Sequence, residues 1–305
     1  MDKVKPIKVN GGMKVSELVE RMKEAGFGAR KIGKASDIMK KMFSDDECSI
    51  FLGVAGAMVP AGMKEIILDM IKTGKISILV ITGANLTHDL AEALGEFHYH
   101  CDTWDDKEFH DKGFDRMYNV LMKNQVYEKI EKFFEENWQK FQKSKNITGF
   151  LKKIGDLLPK GNNSILRACY EKKVPVFCPG ISDSGIGLMV WGRLASGKKL
   201  DVDVFDDMKE IIDIAWNSKK KGVIYVGGGV PKNFIQQALQ FSEGADYGIQ
   251  ITTDRAEFGG SSGAPLEEGI SWGKLKTSAK KEEDFVDVFC DATISLPLLW
   301  AAVKK

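Results

Sequence analysis

The chain has 305 residues, 43% of them hydrophobic, enough to bury a sizeable core without disulfides or metals as staples. Lys and Arg total 44 against 43 for Asp and Glu, a balance that excludes the basic excess of a phosphate-backbone reader, so no nucleic acid is expected as ligand. No apolar run reaches the roughly 18 residues of a membrane span, the opening MDKVKPIKVNGG lacks a secretory apolar core, and the five cysteines show no CxxC spacing. A cytoplasmic protein with reduced thiols and no membrane partner is expected.

In chain order, Val15 to Phe43 carries apolar residues at helical spacing and reads as two helices broken around Gly26-Phe27-Gly28, so residues 1–45 form a helical N-terminal extension. From Ser49 the pattern changes to short apolar runs alternating with amphipathic helices. The runs are Ser49 to Val54, Ile76 to Thr82, Val174 to Cys178, Gly222 to Val226, Tyr247 to Thr252 and Val286 to Cys290. Met63 to Thr73, Leu86 to Leu94, Phe205 to Lys219 and Pro231 to Phe241 show the 3.6-residue period, the last opening on a proline suited to a first helical turn. Residues 99–162 interrupt the alternation as a mostly helical insertion that includes a helix from Val126 to Lys145. The polar stretch Lys143 to Asn163 is expected to be a mobile surface connection. The pattern predicts a single α/β domain, residues 1–305. It is a doubly wound, mostly parallel six-stranded Rossmann-like sheet with helices on both faces, and ligands belong beyond the carboxyl ends of its strands.

Three loops after those strands carry candidate chemistry. Thr82-Gly83-Ala84-Asn85 is a strand-to-helix turn that either approaches a ligand or packs tightly. Gly227-Gly228-Gly229, followed by Val230-Pro231-Lys232, would let backbone amides at a helix start approach a phosphate, although it is not the GxGxxG fingerprint. In the segment from Gly259 to Lys274, Lys274 stands beside Trp272 in a glycine-rich turn. Removal from water would lower the lysine's pKa and free its amine to attack an imine or carbonyl, with Glu268 to shuttle a proton or hold the cation; the plainer alternative is a solvated lysine. All four histidines fall between His88 and His110, and His98-Tyr99-His100-Cys101 alternates ligand types. The spacings of a zinc site are missing, so no metal is expected.

The order and spacing of GGGVPKNFI, GADYGIQITT, SSGAPLEEGISWGK and VFCDATISLPLL resemble the deoxyhypusine synthase family. The likeness extends upstream through MKEAGFGARKIGKASDIMKKM, FLGVAGAMVPAG, LVITGANLTHDL and VPVFCPGISDSGIG. The resemblance implies an NAD-dependent transferase. Spermidine is oxidised to an imine, an active-site lysine captures the aminobutyl piece, and a lysine of translation initiation factor 5A receives it with no net redox change. It implies Lys274 as the imine-forming residue, with Glu268 catalytic beside it, and Trp272, Asn233, Ser262 and His88 on the substrate. It implies Thr82, Gly83, Asp183, Gly228, Gly229, Thr253, Asp291 and Ala292 on the cofactor, and a homotetramer with sites at dimer interfaces.

The departures from the family pattern lie on the polyamine side. Asn233 stands where the family has an acid-base histidine and can neither take nor give a proton near neutral pH. Leu188 replaces an aspartate near the PxxTDG-like turn, His88 replaces a glutamate, and Ser261 replaces an aspartate. Losing carboxylates removes counter-charge that a buried polycation needs. Two alternatives to the protein acceptor follow: a free-amine acceptor, as in homospermidine synthesis, and an inactive NAD-binding partner subunit.

Overall fold

The computed structural model describes residues 3–304. Its described residues gather into two compact units: 3–55, 73–80 and 208–304 in the first, 56–72 and 81–207 in the second.

In the first unit the β-rich runs form neighbouring strands in the order Ile76–Ile81, Cys48–Val54, Lys220–Val226, Tyr247–Thr252 and Phe285–Phe289. The last four are parallel, with Phe51 opposite Val223, Val223 opposite Gly248, and Gly248 opposite Phe285. Their residues are almost all buried because helices cover both faces. A Cβ built on Gly222 would strike Met42 of the helix Phe27–Ser44, whereas one on Gly53 would meet Tyr225 and Ile235, the latter on the helix Gly229–Gln240. Gly53 pairs with Tyr225, three residues from Gly222, so those two helices lie on opposite faces. The sixth strand, the two-residue Val176–Phe177, belongs to the second unit. The doubly wound α/β class is therefore observed.

The direction of winding reverses between Cys48–Val54 and Lys220–Val226. There the chain leaves both strands side by side: Ala55 N–H donates to Val226 O at 2.8 Å, and Gly227, at φ +74°, adopts the left-handed turn that spares a side chain clash with Ala55. Such a switch point opens a crevice beyond the carboxyl ends of the strands.

The second unit differs from its sequence reading in two places. Residues 99–162 contain the helices Asp106–Asp111, Val126–Phe141 and Ile147–Leu157. They also contain most of an antiparallel sheet, with Val120–Lys123 between His98–His100 and Phe114–Met117. Those strands are three or four residues long, too short to show a period in sequence. The stretch expected to be mobile holds the helix Ile147–Leu157 instead. Ile147, Phe150, Leu151 and Ile154 bury one face of it, Phe150 lies against Phe134 and Phe141, and Asn146 caps it by accepting from Gly149 N–H at 2.8 Å. Averaged polarity over the stretch concealed that stripe. Among the described residues no helix is long and apolar enough to cross a membrane.

Candidate functional site

The first unit holds a cavity of about 530 Å³ built on two segments: the helix Gly229–Gln240, which follows the glycine turn, and the loop and short helix from Gly259 to Lys274. Lys274, Trp272, Glu268 and Asn233 all line it, so the structure brings together four of the side chains singled out from sequence. Lys274 Nζ sits 5.0 Å from the Trp272 ring centre, a cation–π distance. The surroundings are wetter than the sequence reading asked for. Trp272 is 57% exposed, Glu268 and Asn233 are exposed, and Lys274 is half-buried.

A second amine, which sequence reasoning passed over, organises this cavity. Lys232 is only 2% exposed, and its Nζ donates to Ser261 O at 2.8 Å and to Ala264 O at 2.5 Å. It thereby ties the glycine-rich loop to the helix that starts at Gly229. Burial pushes its pKa down to about 8, against the opposing pull of Asp287 and Glu268. The signal was present in the sequence, as a lysine one turn inside a helix that packs on a sheet. Lysine's usual preference for the surface hid it.

Ser262 departs from its expected place. Its Oγ is turned to Asp254, and its backbone packs so closely on Gly228 that a Cβ there would lie 2.4 Å from Ser262 Cα. Its neighbour Ser261 lines the cavity instead. Gly228 is thus required by packing. Gly229 has open space where a Cβ would be and a φ of +56°, and no side chain caps the helix it begins. Thr253 is exposed just beyond Tyr247–Thr252. Asp291 caps the helix Ala292–Val303, accepting from Thr293 N–H at 2.7 Å, so Thr253, Asp291 and Ala292 follow neighbouring parallel strands. Between those strand ends lies a cavity of about 280 Å³ lined by Gln250, Thr252, Asp254 and Arg255 among others. Gln250 is fully buried; its Nε2 donates to Ser262 O, while its Oε1 has no partner. The open Gly229 at an uncapped helix start suits phosphates, and the orphaned acceptor of Gln250, at the second cavity, suits a hydroxyl or amide donor; a dinucleotide carries both kinds of group.

The remaining candidates belong to the second unit. Thr82 and Gly83 begin the helix Gly83–Ala93. Gly83 is needed because Ser184 approaches its α-carbon, a Cβ lying 2.6 Å from Ser184 Cβ. Asn85, fully buried, accepts from Val59 N–H and donates to Gly56 O and Thr82 Oγ1. Tight packing therefore explains much of this turn. Asp183 is exposed immediately before the helix Gly185–Ala195, which carries Leu188 at 56% exposure. His88 is half-buried against His98.

Comparison with known proteins adds a family. The family model described as deoxyhypusine synthase matches residues 17–303. "Probable deoxyhypusine synthase 1" of Archaeoglobus fulgidus is 42% identical over 294 residues, covering 96% of this chain and 95% of that protein. "Probable deoxyhypusine synthase" of Methanothermobacter thermautotrophicus is 36% identical over 302 residues, 98% and 96% of the two chains. Among solved structures, a "putative deoxyhypusine synthase" of Entamoeba histolytica superposes with a TM-score of 0.68 over 98% of this chain and 96% of that one. At 18% identity it speaks for the fold alone.

Proposed function

Because the chain belongs to the deoxyhypusine synthase family, a transferase family, we propose that it moves an aminobutyl group from spermidine through an imine on Lys274, with NAD as cofactor and a lysine of translation initiation factor 5A as acceptor. The observation that carries this reading is the single cavity in which the Lys274 amine lies over Trp272 with Glu268 on the same wall. NAD, when bound, supplies a hydride acceptor that turns the substrate's secondary amine into an imine, and a donor that returns the hydride.

The chain's own residues account for the rest. Trp272 presents an apolar, electron-rich face to the Lys274 amine, which orients the nucleophile. Glu268, exposed at the cavity, offers a carboxylate to a substrate ammonium or to protons released as Lys274 adds. Lys232 holds the loop to which Ser261 and Ala264 belong. Gly228, Gly229, Thr253, Asp291 and Ala292 in the first unit, and Thr82, Gly83 and Asp183 in the second, are the positions proposed to hold the cofactor. The proposal includes a homotetramer in which another copy covers the exposed Trp272.

Asn233 favours a second reading. It lines the cavity yet offers no titratable group, so an acceptor amine that arrives already deprotonated, or is deprotonated elsewhere, suits this wall better than one needing an imidazole there. In this second reading the acceptor is a free diamine such as putrescine, since the departures at Asn233, Leu188, His88 and Ser261 all lie on the polyamine side. Incubation with labelled spermidine and NAD, followed by borohydride, should fix label on Lys274. Adding factor 5A or putrescine then separates the readings by which one becomes labelled. A folded protein that yields no adduct on Lys274 overturns both.

A further inference from the structure

Between Ser261 and Leu266 the glycine-rich loop is held by side chains from a helix and from two strands of the sheet. Lys232, on the helix Gly229–Gln240, donates to Ser261 O at 2.8 Å and to Ala264 O at 2.5 Å. Gln250 and Asp287 stand opposite each other on the neighbouring strands Tyr247–Thr252 and Phe285–Phe289. Gln250 Nε2 donates to Ser262 O at 2.8 Å, and the Asp287 carboxylate accepts from Leu266 N–H, at 3.0 Å to one oxygen and 3.3 Å to the other. Leu266 is itself buried and packs over Gly248, where an added Cβ would lie 3.1 Å from its side chain.

From Leu266 a line of backbone hydrogen bonds runs to the reactive segment. Leu266 O accepts from Gly269 N–H at 2.9 Å, in the short helix Glu268–Ser271, and Gly269 O accepts from Lys274 N–H at 2.8 Å. On its other side Lys274 O accepts from Ala245 N–H at 3.1 Å. The Lys274 backbone is therefore anchored twice: to Ala245, just ahead of the strand Tyr247–Thr252, and through Gly269 and Leu266 to Asp287. The first anchor joins backbone to backbone; the second ends on one side chain and has Glu268 on its path. Asp287 is half-buried, and burial raises its pKa, with the Leu266 N–H and then Lys232 pulling it back. An anion thus faces a loop N–H while a cation faces loop carbonyls, and each lessens the other's burial penalty.

We propose that Asp287 is a positioning residue for the transfer reaction: by holding Leu266 N–H it sets the short helix that presents Glu268 and, through Gly269, the backbone from which the Lys274 amine enters the cavity. That role rests on the function proposed above; the hydrogen-bond line from Asp287 to Lys274 does not. Asp287 lines the second cavity and not the one that holds Lys274, so it acts on the amine through Leu266. The distance matters little, because a nucleophile that must meet an imine carbon at contact range is slowed by a displacement of about 1 Å.

Amide hydrogen exchange and the borohydride-trapped adduct, both read in the full chain, test the role. In Asp287→Ala the amides of Leu266, Gly269 and Lys274 should lose protection together, and by more than Ala55, whose N–H is paired to Val226 in the sheet. With labelled spermidine and NAD, the adduct on Lys274 should form about tenfold more slowly per folded molecule, the effect of one lost hydrogen bond on a rate. Asp287→Asn keeps an oxygen that accepts from Leu266 and should stay within about threefold of wild type. A residue that only stabilises the fold would lower the folded fraction and leave the rate per folded molecule alone, so an unchanged rate in Asp287→Ala overturns the positioning role. Loss of protection confined to Leu266 overturns the line to Lys274, and Asp287→Asn as slow as Asp287→Ala overturns the hydrogen bond as its origin. Wild-type protein that forms no adduct overturns the proposed function and this role with it, while the exchange pattern still decides the hydrogen-bond line.

Discussion

In the Lys274 cavity the amine lies over an indole that is mostly exposed, with Glu268 and Asn233 also at the surface. Around His88 the lysine, carboxylate and imidazoles of Lys64, Glu92, His98 and His88 contact one another in series. The first region leaves a cation accessible and thinly compensated, which suits chemistry and calls for a covering surface. The second compensates its charges internally, which suits positioning. Lys232 lies in the first unit but follows the second pattern, since its buried amine is committed to two carbonyls. Lysines within one small region of fold can therefore have opposite tasks, and burial with partners, not residue type, tells them apart.

Substitutions should break this contrast in a graded way. Lys274→Ala should remove transfer by roughly a thousandfold or more and abolish the borohydride-trapped adduct, with the melting temperature nearly unchanged, because a half-buried lysine stabilises little while the proposed imine forms on this amine. Lys232→Met keeps the stem but strands Ser261 O and Ala264 O. It should cost roughly 2–4 kcal/mol in urea unfolding, with activity lost through the loop. Its pH dependence has a definite sign. The folded pKa of about 8 lies below the ordinary lysine value, so between about 8 and 10.5 the unfolded chain binds more protons, and wild-type stability should rise relative to Lys232→Met over that range.

Asp89 sharpens the same comparison in the second unit. It is fully buried and accepts from Ser164 Oγ and from Ile165 and Leu166 N–H at the start of the helix Ile165–Lys172. Asp89→Asn turns one acceptor into a donor facing those groups and should cost roughly 1–3 kcal/mol. Burial, partly offset by those donors, raises the Asp89 pKa to about 6. Between about 4 and 6 the folded chain binds more protons than the unfolded one, so wild-type stability relative to Asp89→Asn should fall as pH rises through that window. Unfolding curves at pH 4.5 and 7 check it. The smallest change in stability is expected for Trp272→Ala, within about 1 kcal/mol of wild type, because the ring is largely exposed and its cation–π contact is modest. Its cost should appear instead as slower capture of substrate by Lys274.

Tyr247–Thr252 was legible to the residue, and the strands Cys48–Val54, Ile76–Ile81 and Phe285–Phe289 to within one at either end. These segments are β-branched, apolar and bounded by turns, so local sequence and burial agree. Val174 to Cys178 shrank to Val176–Phe177, and Lys220–Val226 extended two residues earlier, through lysines that periodicity cannot assign to a strand. Lys274, Trp272, Glu268 and Asn233 were found because the loop's composition and family likeness single them out. Ser262 was misplaced because a side chain's direction within a glycine-rich loop depends on what the loop touches, here Asp254 and Gly228.

By itself the sequence determined the α/β class, the positions of the main strands, the family, and the glycine-rich segment that holds Lys274, because these rest on periodicity, propensity and motifs spread along neighbouring residues. Only the tertiary structure decided that Lys232 is a buried tether, that Asp89 caps a distant helix, and that Lys64, Glu92 and His98 stand behind His88. Those roles depend on desolvation and hydrogen bonds between residues as much as tens of positions apart, and a linear pattern carries no record of which polar groups meet when the chain closes on itself.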